Sequence, residues 1–185
     1  MYKIHIEYIG EKRDNMINLY IDFDGVIKDT ISVSYKMMAD LGIDIKDRKS
    51  VIEFYQKINW EDLLNNSLEL NDAFMYIDKI IANQVFRPSI LTTVNSLGEM
   101  IAKTNYIRSK NEDISIICVP SGIAKDKLVN AKGSILIDDY SGNLESWVKA
   151  GGIGVKYGSD DTYISINSLK DFACLGATKK LCLVK

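Results

Sequence analysis

Ile17-Asn18-Leu19-Tyr20-Ile21-Asp22-Phe23-Asp24-Gly25-Val26 begins as a short apolar run and stops abruptly at a carboxylate. A run of this length bounded by polar residues suits a central parallel strand, buried on both faces. Three more runs behave alike. Ser89-Ile90-Leu91 ends at Thr92-Thr93, Ile114-Ser115-Ile116-Ile117-Cys118-Val119 ends at Pro120, and Ser134-Ile135-Leu136-Ile137 ends at Asp138-Asp139. A fifth, Gly152-Ile153-Gly154-Val155, ends near Lys156. Helical patterns lie between them. Ser96 to Lys110 carries Leu97, Met100 and Ile101 at helical spacing, with Asn95 as its expected cap. Leu144, Trp147 and Val148 follow the same spacing, and Gly151 stops them. Strands alternating with helices predict an α/β chain built as a three-layer parallel sheet.

One interval breaks the alternation. From Thr30 to Arg87 only helices are legible: Ile31 to Leu41, one capped at Ser50-Val51-Ile52-Glu53, one opened by Asn59, and one opened by Asn71. The last carries Ala73, Phe74, Ile77, Ile80 and Ile81 as a stripe. This predicts a small helical cap over 30–87, inserted after the first core strand and packing a small core of its own. The core domain is then 1–29 and 88–185. Residues 1–16 form an added strand, since Tyr2, Ile4, Ile6 and Tyr8 alternate with Lys3, His5 and Glu7. The lone His5 lies on the polar side and reads as solvated.

Composition sets bounds. The chain has 185 residues, 46% hydrophobic and 26% charged, which is ordinary for a folded domain. A net charge of −2 gives no basic excess for a nucleic-acid polymer or an anionic membrane. No apolar stretch is long enough to span a bilayer, and the first residues lack the apolar segment of a secretory signal. Three cysteines without a CxxC pair, beside one histidine, make a zinc site improbable and suit a reducing cytoplasm. Cys182 four from the end mimics a prenylation box, but the final Lys185 is not among its usual last residues.

In doubly wound sheets ligands sit beyond the carboxyl ends of the strands. The residues there are Asp22 and Asp24, Thr92 and Thr93, a lysine after Pro120, and Asp138 and Asp139. Crowded carboxylates repel and call for a cation, and oxygen-only ligands suit a hard ion such as Mg2+. With the phosphoryl charge neutralised by the ion, a Lys and a Thr hydroxyl, one Asp can attack phosphorus and form an acyl phosphate. A second carboxylate two residues on points to the same side of an extended chain. Gly25 lets the backbone turn beside the phosphate. Each part also has a plain structural reading: a turn after a strand for Asp22 to Gly25, a helix cap for Thr92-Thr93, solvated charges for Lys125 and Lys127. Their order along one chain favours the chemical reading. Gly151-Gly152-Ile153-Gly154 follows a helix and precedes a strand, the reverse of a dinucleotide fingerprint.

At these residues the chain resembles the haloacid-dehalogenase superfamily of phosphohydrolases. Leu19 to Val26 is similar to its first motif, Ile90-Leu91-Thr92-Thr93 to its second and Leu136-Ile137-Asp138-Asp139 to its fourth, over roughly 18–157. Ala124-Lys125-Asp126-Lys127-Leu128-Val129 and Asp139-Tyr140-Ser141-Gly142-Asn143-Leu144 resemble the 5'(3')-deoxyribonucleotidase branch with its bacterial and phage relatives. The resemblance implies a Rossmann-like core and a Mg2+-dependent phosphatase for a small phosphorylated substrate. Asp22 would be the nucleophile and Asp24 the general acid/base, its carbonyl binding the metal. Thr92, with Thr93 beside it, and Gly25 would hold the phosphoryl group. Lys125 or Lys127 would neutralise charge, and Asp139, with Asp138 beside it, would complete the metal ligands with Asp22. Trp60 is a candidate to stack on a base, though core packing is the commoner fate of such a residue. A sugar phosphatase or phosphotransferase and a non-catalytic binding protein are the alternatives. A homodimer is left open.

Overall fold

The computed structural model describes residues 3–6, 16–175 and 181–184. The first strand, β1 (Lys3–Ile6), pairs antiparallel with the last, β8 (Leu181–Val184), as a separate two-stranded sheet. The N-terminal strand therefore meets the chain's own tail, with Lys3 opposite Val184 and Ile6 opposite Leu181. The rest of the alternating segment Met1–Ile9, and the side chains of His5 and Cys182, lie outside the described residues.

The main sheet has six parallel strands in the order β4-β3-β2-β5-β6-β7. They are β2 (Ile17–Ile21), β3 (Phe86–Val94), β4 (Ser115–Pro120), β5 (Ile135–Asp138), β6 (Ile153–Tyr157) and β7 (Ile164–Ile166). All five expected runs are strands. The sixth, β7, is only three residues long and was not legible from its pattern. β3 begins at Phe86, before the expected Ser89, so Pro88 sits inside the strand opposite Leu19.

Alternation along β2 explains the three layers. Leu19 and Ile21 belong to a large core with Phe86, Ile90, Ile135, Ile137 and Val155. Tyr20 points the other way, into a smaller core with Leu91, Leu136, Leu144 and Trp147. Helix α6 (Ser141–Lys149) covers that second face through Leu144 and Trp147. The first face is covered by α3 (Trp60–Asn66), α4 (Ala73–Asn83), α5 (Leu97–Lys110) and α7 (Lys170–Ala173).

Between β2 and β3 lie α1 (Thr30–Asp40), α2 (Arg48–Lys57), α3 and α4. The small separate core expected here does not form. Trp60, Leu63, Leu64, Phe74, Ile77 and Ile80 belong to the same buried cluster as β2. Three starts also differ from expectation. Asp72 rather than Asn71 precedes α4, without a side-chain cap. Asp47 caps α2 by accepting from the Lys49 amide at 3.1 Å, and Ser50 lies inside the helix, donating to Asp47 at 2.6 Å. Ser96, not Asn95, caps α5, accepting from the Glu99 amide at 3.1 Å.

Helix α5 is also rotated from its expected face. Leu97 and Ile101 are 65% and 48% exposed, while Glu99, Ala102, Lys103 and Ile107 are buried. The charged pair faces the protein and the apolar pair faces out. No helix among the described residues is long and apolar enough to cross a membrane.

Candidate active site

The strand order reverses at β2: β3 and β4 run off to one side, β5 to β7 to the other. The crevice beyond β2 and β5 is therefore the switch point where such sheets bind ligands. Asp22 follows β2 and Asp138 ends β5.

The turn after β2 is tight. The Phe23 carbonyl accepts from the Ile27 and Lys28 amides, and the Gly25 amide donates to the Lys28 carbonyl at 2.8 Å. Gly25 has φ +69°, and a Cβ there would lie 2.3 Å from Asp139 Oδ2. Only glycine lets the Asp139 carboxylate come this close to the turn. Gly25→Ala should therefore displace Asp139 and weaken Mg2+ binding at least about tenfold, at a stability cost of ~1 kcal/mol or more for the left-handed backbone. Isothermal titration of Mg2+ and a thermal melt check both.

Asp22, Asp138 and Asp139 each place a carboxylate oxygen within 4.8 Å of the others. One buried ammonium, that of Lys125, stands among them, 2.8 Å from Asp22 Oδ1 and 2.7 Å from Asp138 Oδ2. Lys125 sits in a short 3-10 turn (Lys125–Lys127), which turns Lys127 outward. Lys127 is 72% exposed at its side chain and pairs with Asp126. Of the two lysines open from the sequence, the structure brings Lys125 to the cluster and leaves Lys127 out.

Asp138 is wholly buried and fully engaged. It accepts from Lys125, from the Tyr140 amide at 2.9 Å and from the Asn143 amide group at 2.9 and 3.2 Å. Its contacts are internal, whereas Asp22 is 7% exposed and Asp139 half-buried. Asn143 was missed by sequence reasoning as a site residue. Its position five after Asp138, the third residue of α6, was the available signal.

Burial pushes the Asp22 carboxyl well above the usual carboxylate range, reinforced by Asp138 and Asp24 and opposed by Lys125. Asp139 is pushed up to about 6, first by burial, then by Asp138 and Asp24, against Lys156 and Lys125. Three clustered carboxylates, two of them paired with the buried Lys125 ammonium, are an all-oxygen set that fits Mg2+. Asp22 and Asp139 would supply side-chain oxygens to it, Asp24 its carbonyl, and Asp138 would stand behind.

The linkage has a definite sign. An Asp raised from ~3.9 unfolded favours the folded chain below that value and loses this contribution as pH rises through its folded value. Without divalent cation the protein should thus lose stability between about pH 4 and 6 from Asp139. Added Mg2+ should raise the melting temperature at pH 7.5 and much less at pH 5, where Asp139 is protonated. A Mg2+ shift equal at both values would contradict this.

Asp24 lies to one side of this cluster. Its Oδ1 accepts from the Thr30 hydroxyl at 2.7 Å and its Oδ2 from Lys103 at 2.5 Å. Thr92 is fully buried, with its hydroxyl 3.4 Å from Asp24 Oδ2 and 3.1 Å from Lys103. Thr93 is half-buried and lines a cavity of about 180 Å3 with Asp24, Thr30, Ser34, Tyr55 and Asn95. Trp60 borders the same cavity, yet it is only 5% exposed. Its ring stacks on Tyr55 at 5.9 Å and its Nε1 donates to the Tyr55 carbonyl. Most of Trp60 is thus given to packing.

No protein-family model matches the chain, and no curated protein does. Solved structures do. A haloacid-dehalogenase-superfamily hydrolase from Ehrlichia chaffeensis is 18% identical, covering 84% of this chain and 93% of its own, with a TM-score of 0.52. A haloacid-dehalogenase-like hydrolase from Xanthomonas campestris is 11% identical, covering 88% and 92%, with a TM-score of 0.60. A D,D-heptose 1,7-bisphosphate phosphatase from Burkholderia thailandensis is 11% identical, covering 85% and 96%, with a TM-score of 0.52. By sheet order, by the helices that follow the first core strand and by these likenesses, the chain has the Rossmann-like fold of the haloacid-dehalogenase-superfamily hydrolases.

Proposed function

We propose that the chain hydrolyses a small phosphomonoester through a phosphoaspartate on Asp22, with Mg2+ as cofactor. The observation that carries this is the convergence of Asp22, Asp138 and Asp139 around Lys125 at the switch point of the sheet. Phosphoryl transfer needs positioning and charge neutralisation more than covalent novelty. Asp22 keeps an oxygen free of the Phe23 amide and Lys125, both of which meet its Oδ1. That oxygen forms a bond to phosphorus as the bond to the leaving oxygen breaks. Asp24, which must carry a proton when substrate binds, gives it to that oxygen. It then takes one from water, whose oxygen attacks the phosphoaspartate and releases phosphate and Asp22. Lys125 offsets charge on Asp22 and the transferring group throughout. Bound Mg2+ would supply further charge neutralisation for the phosphoryl oxygens.

The substrate reading suggested by the deoxyribonucleotidase-like segments is a nucleoside monophosphate. A second reading is a sugar phosphate, favoured by the cavity beside Asp24. Its 180 Å3 lies below the ~300 Å3 at the low end of ordinary ligand pockets, and the polar residues Thr30, Ser34, Tyr55, Thr93 and Asn95 line it. A nucleobase would require α1 to α3 to open. A screen of nucleoside monophosphates, deoxynucleoside monophosphates and sugar phosphates, with and without Mg2+, separates the two. Inactivity on all of them, and on 4-nitrophenyl phosphate, would leave a binding protein.

A further inference from the structure

Lys103 is completely buried on α5, and its ammonium has four oxygen partners. These are Asp24 Oδ2 at 2.5 Å, Glu99 Oε1 at 2.6 Å, the Thr93 carbonyl at 3.0 Å and Thr92 Oγ1 at 3.1 Å. The faces of Trp60 and Phe23 lie 5.0 and 5.6 Å away. Three N–H donors meet four acceptors, so none is left for a substrate. Glu99 is anchored in turn: its Oε2 accepts from the Asn95 amide at 2.7 Å and from Asn95 Nδ2 at 3.1 Å.

A Glu and a Lys four apart on a helix ordinarily face water. Here they face inward while Leu97 and Ile101 face out. A buried ion pair gives no stability advantage over apolar residues of like volume, so packing alone does not account for it. What the pair does accomplish is directional. Lys103 takes Asp24 Oδ2, and Thr30 takes Oδ1 from the side where the cavity lies. The carboxyl is clamped between α1, β3 and α5.

We propose that Lys103, fixed by Glu99, is a positioning residue that locks the Asp24 carboxyl in the orientation needed to serve the leaving oxygen. This rests on the phosphatase reading above, and it adds a residue outside the segments that carry the family resemblance.

The test compares kcat/KM for phenyl phosphate and 4-nitrophenyl phosphate in the full chain with Mg2+. The two esters differ little in size, but nitrophenolate departs with little help from an acid. This ratio reports the step up to ester cleavage, before hydrolysis of the phosphoaspartate. Lys103→Met should lower kcat/KM for phenyl phosphate at least about tenfold more than for 4-nitrophenyl phosphate. A merely structural role would lower both in proportion, and that result overturns the proposal. If Lys103→Met fails to fold by thermal melt, Glu99→Gln decides. It should show the same selective loss, smaller in size, and a proportional loss or none overturns the proposal. A wild-type chain inert on both esters would instead overturn the phosphatase reading itself.

Discussion

Asp22→Asn should abolish turnover, by at least about a thousandfold, and leave the fold intact. An amide oxygen does not displace the leaving group, so no phosphoaspartate forms. The side chain keeps its shape, and its carbonyl oxygen still accepts from the Phe23 amide and Lys125 as Asp22 Oδ1 does. Removing the charge also removes a destabilising element. Burial, Asp138 and Asp24 all disfavour the ionised carboxylate, with Lys125 opposing. The Mg2+-free melting temperature near neutral pH should therefore hold or rise. Steady-state hydrolysis of 4-nitrophenyl phosphate beside a thermal melt reads both, and a variant that keeps wild-type turnover ends the mechanism.

The largest stability effect is expected at Lys125→Met. Lys125 is 1% exposed at its side chain and meets Asp22 and Asp138, both buried. Taking away the cation that holds two buried carboxylates costs about 3–5 kcal/mol, because those charges keep their desolvation penalty. Activity falls with it. Lys127→Met, two residues on and 72% exposed, should stay within about 0.5 kcal/mol. Urea unfolding of the two variants makes the comparison. Equal destabilisation, or the larger effect at Lys127, would mean that the lysine assignment is wrong.

The strand-end residues were legible because a buried parallel strand must be apolar throughout and must then stop. Asp22 and Asp138 mark such stops; Thr92 ends the apolar run, but β3 itself continues to Val94. The choice between Lys125 and Lys127 was not legible. Both follow the same strand, and only the sense of one 3-10 turn sends the first inward. Lys103 was invisible for a stronger reason. Leu97, Met100 and Ile101 form a plausible apolar stripe, and Glu99–Lys103 has the spacing of a solvated pair. The helix is rotated the other way because its inner face meets Asp24, which wants a cation more than a methyl group. The sequence sets Asp138 beside Asp139 among the metal residues; it does belong to that carboxylate cluster, and its partners Lys125, Tyr140 and Asn143 were not legible.

Local pattern alone thus determined the five long strands, the helical interval after the first of them and the row of polar residues at their ends. Hydrophobic periodicity is a property of consecutive residues, and those features need nothing more. Tertiary structure decided which charges are paired. Lys125 with Asp22 and Asp138, Lys103 with Asp24 and Glu99, and Gly25 beneath Asp139 are meetings between distant segments, set by sheet order and helix rotation. A buried charge is tolerable only where its counter-charge arrives, and that arrival depends on the packing of the whole chain.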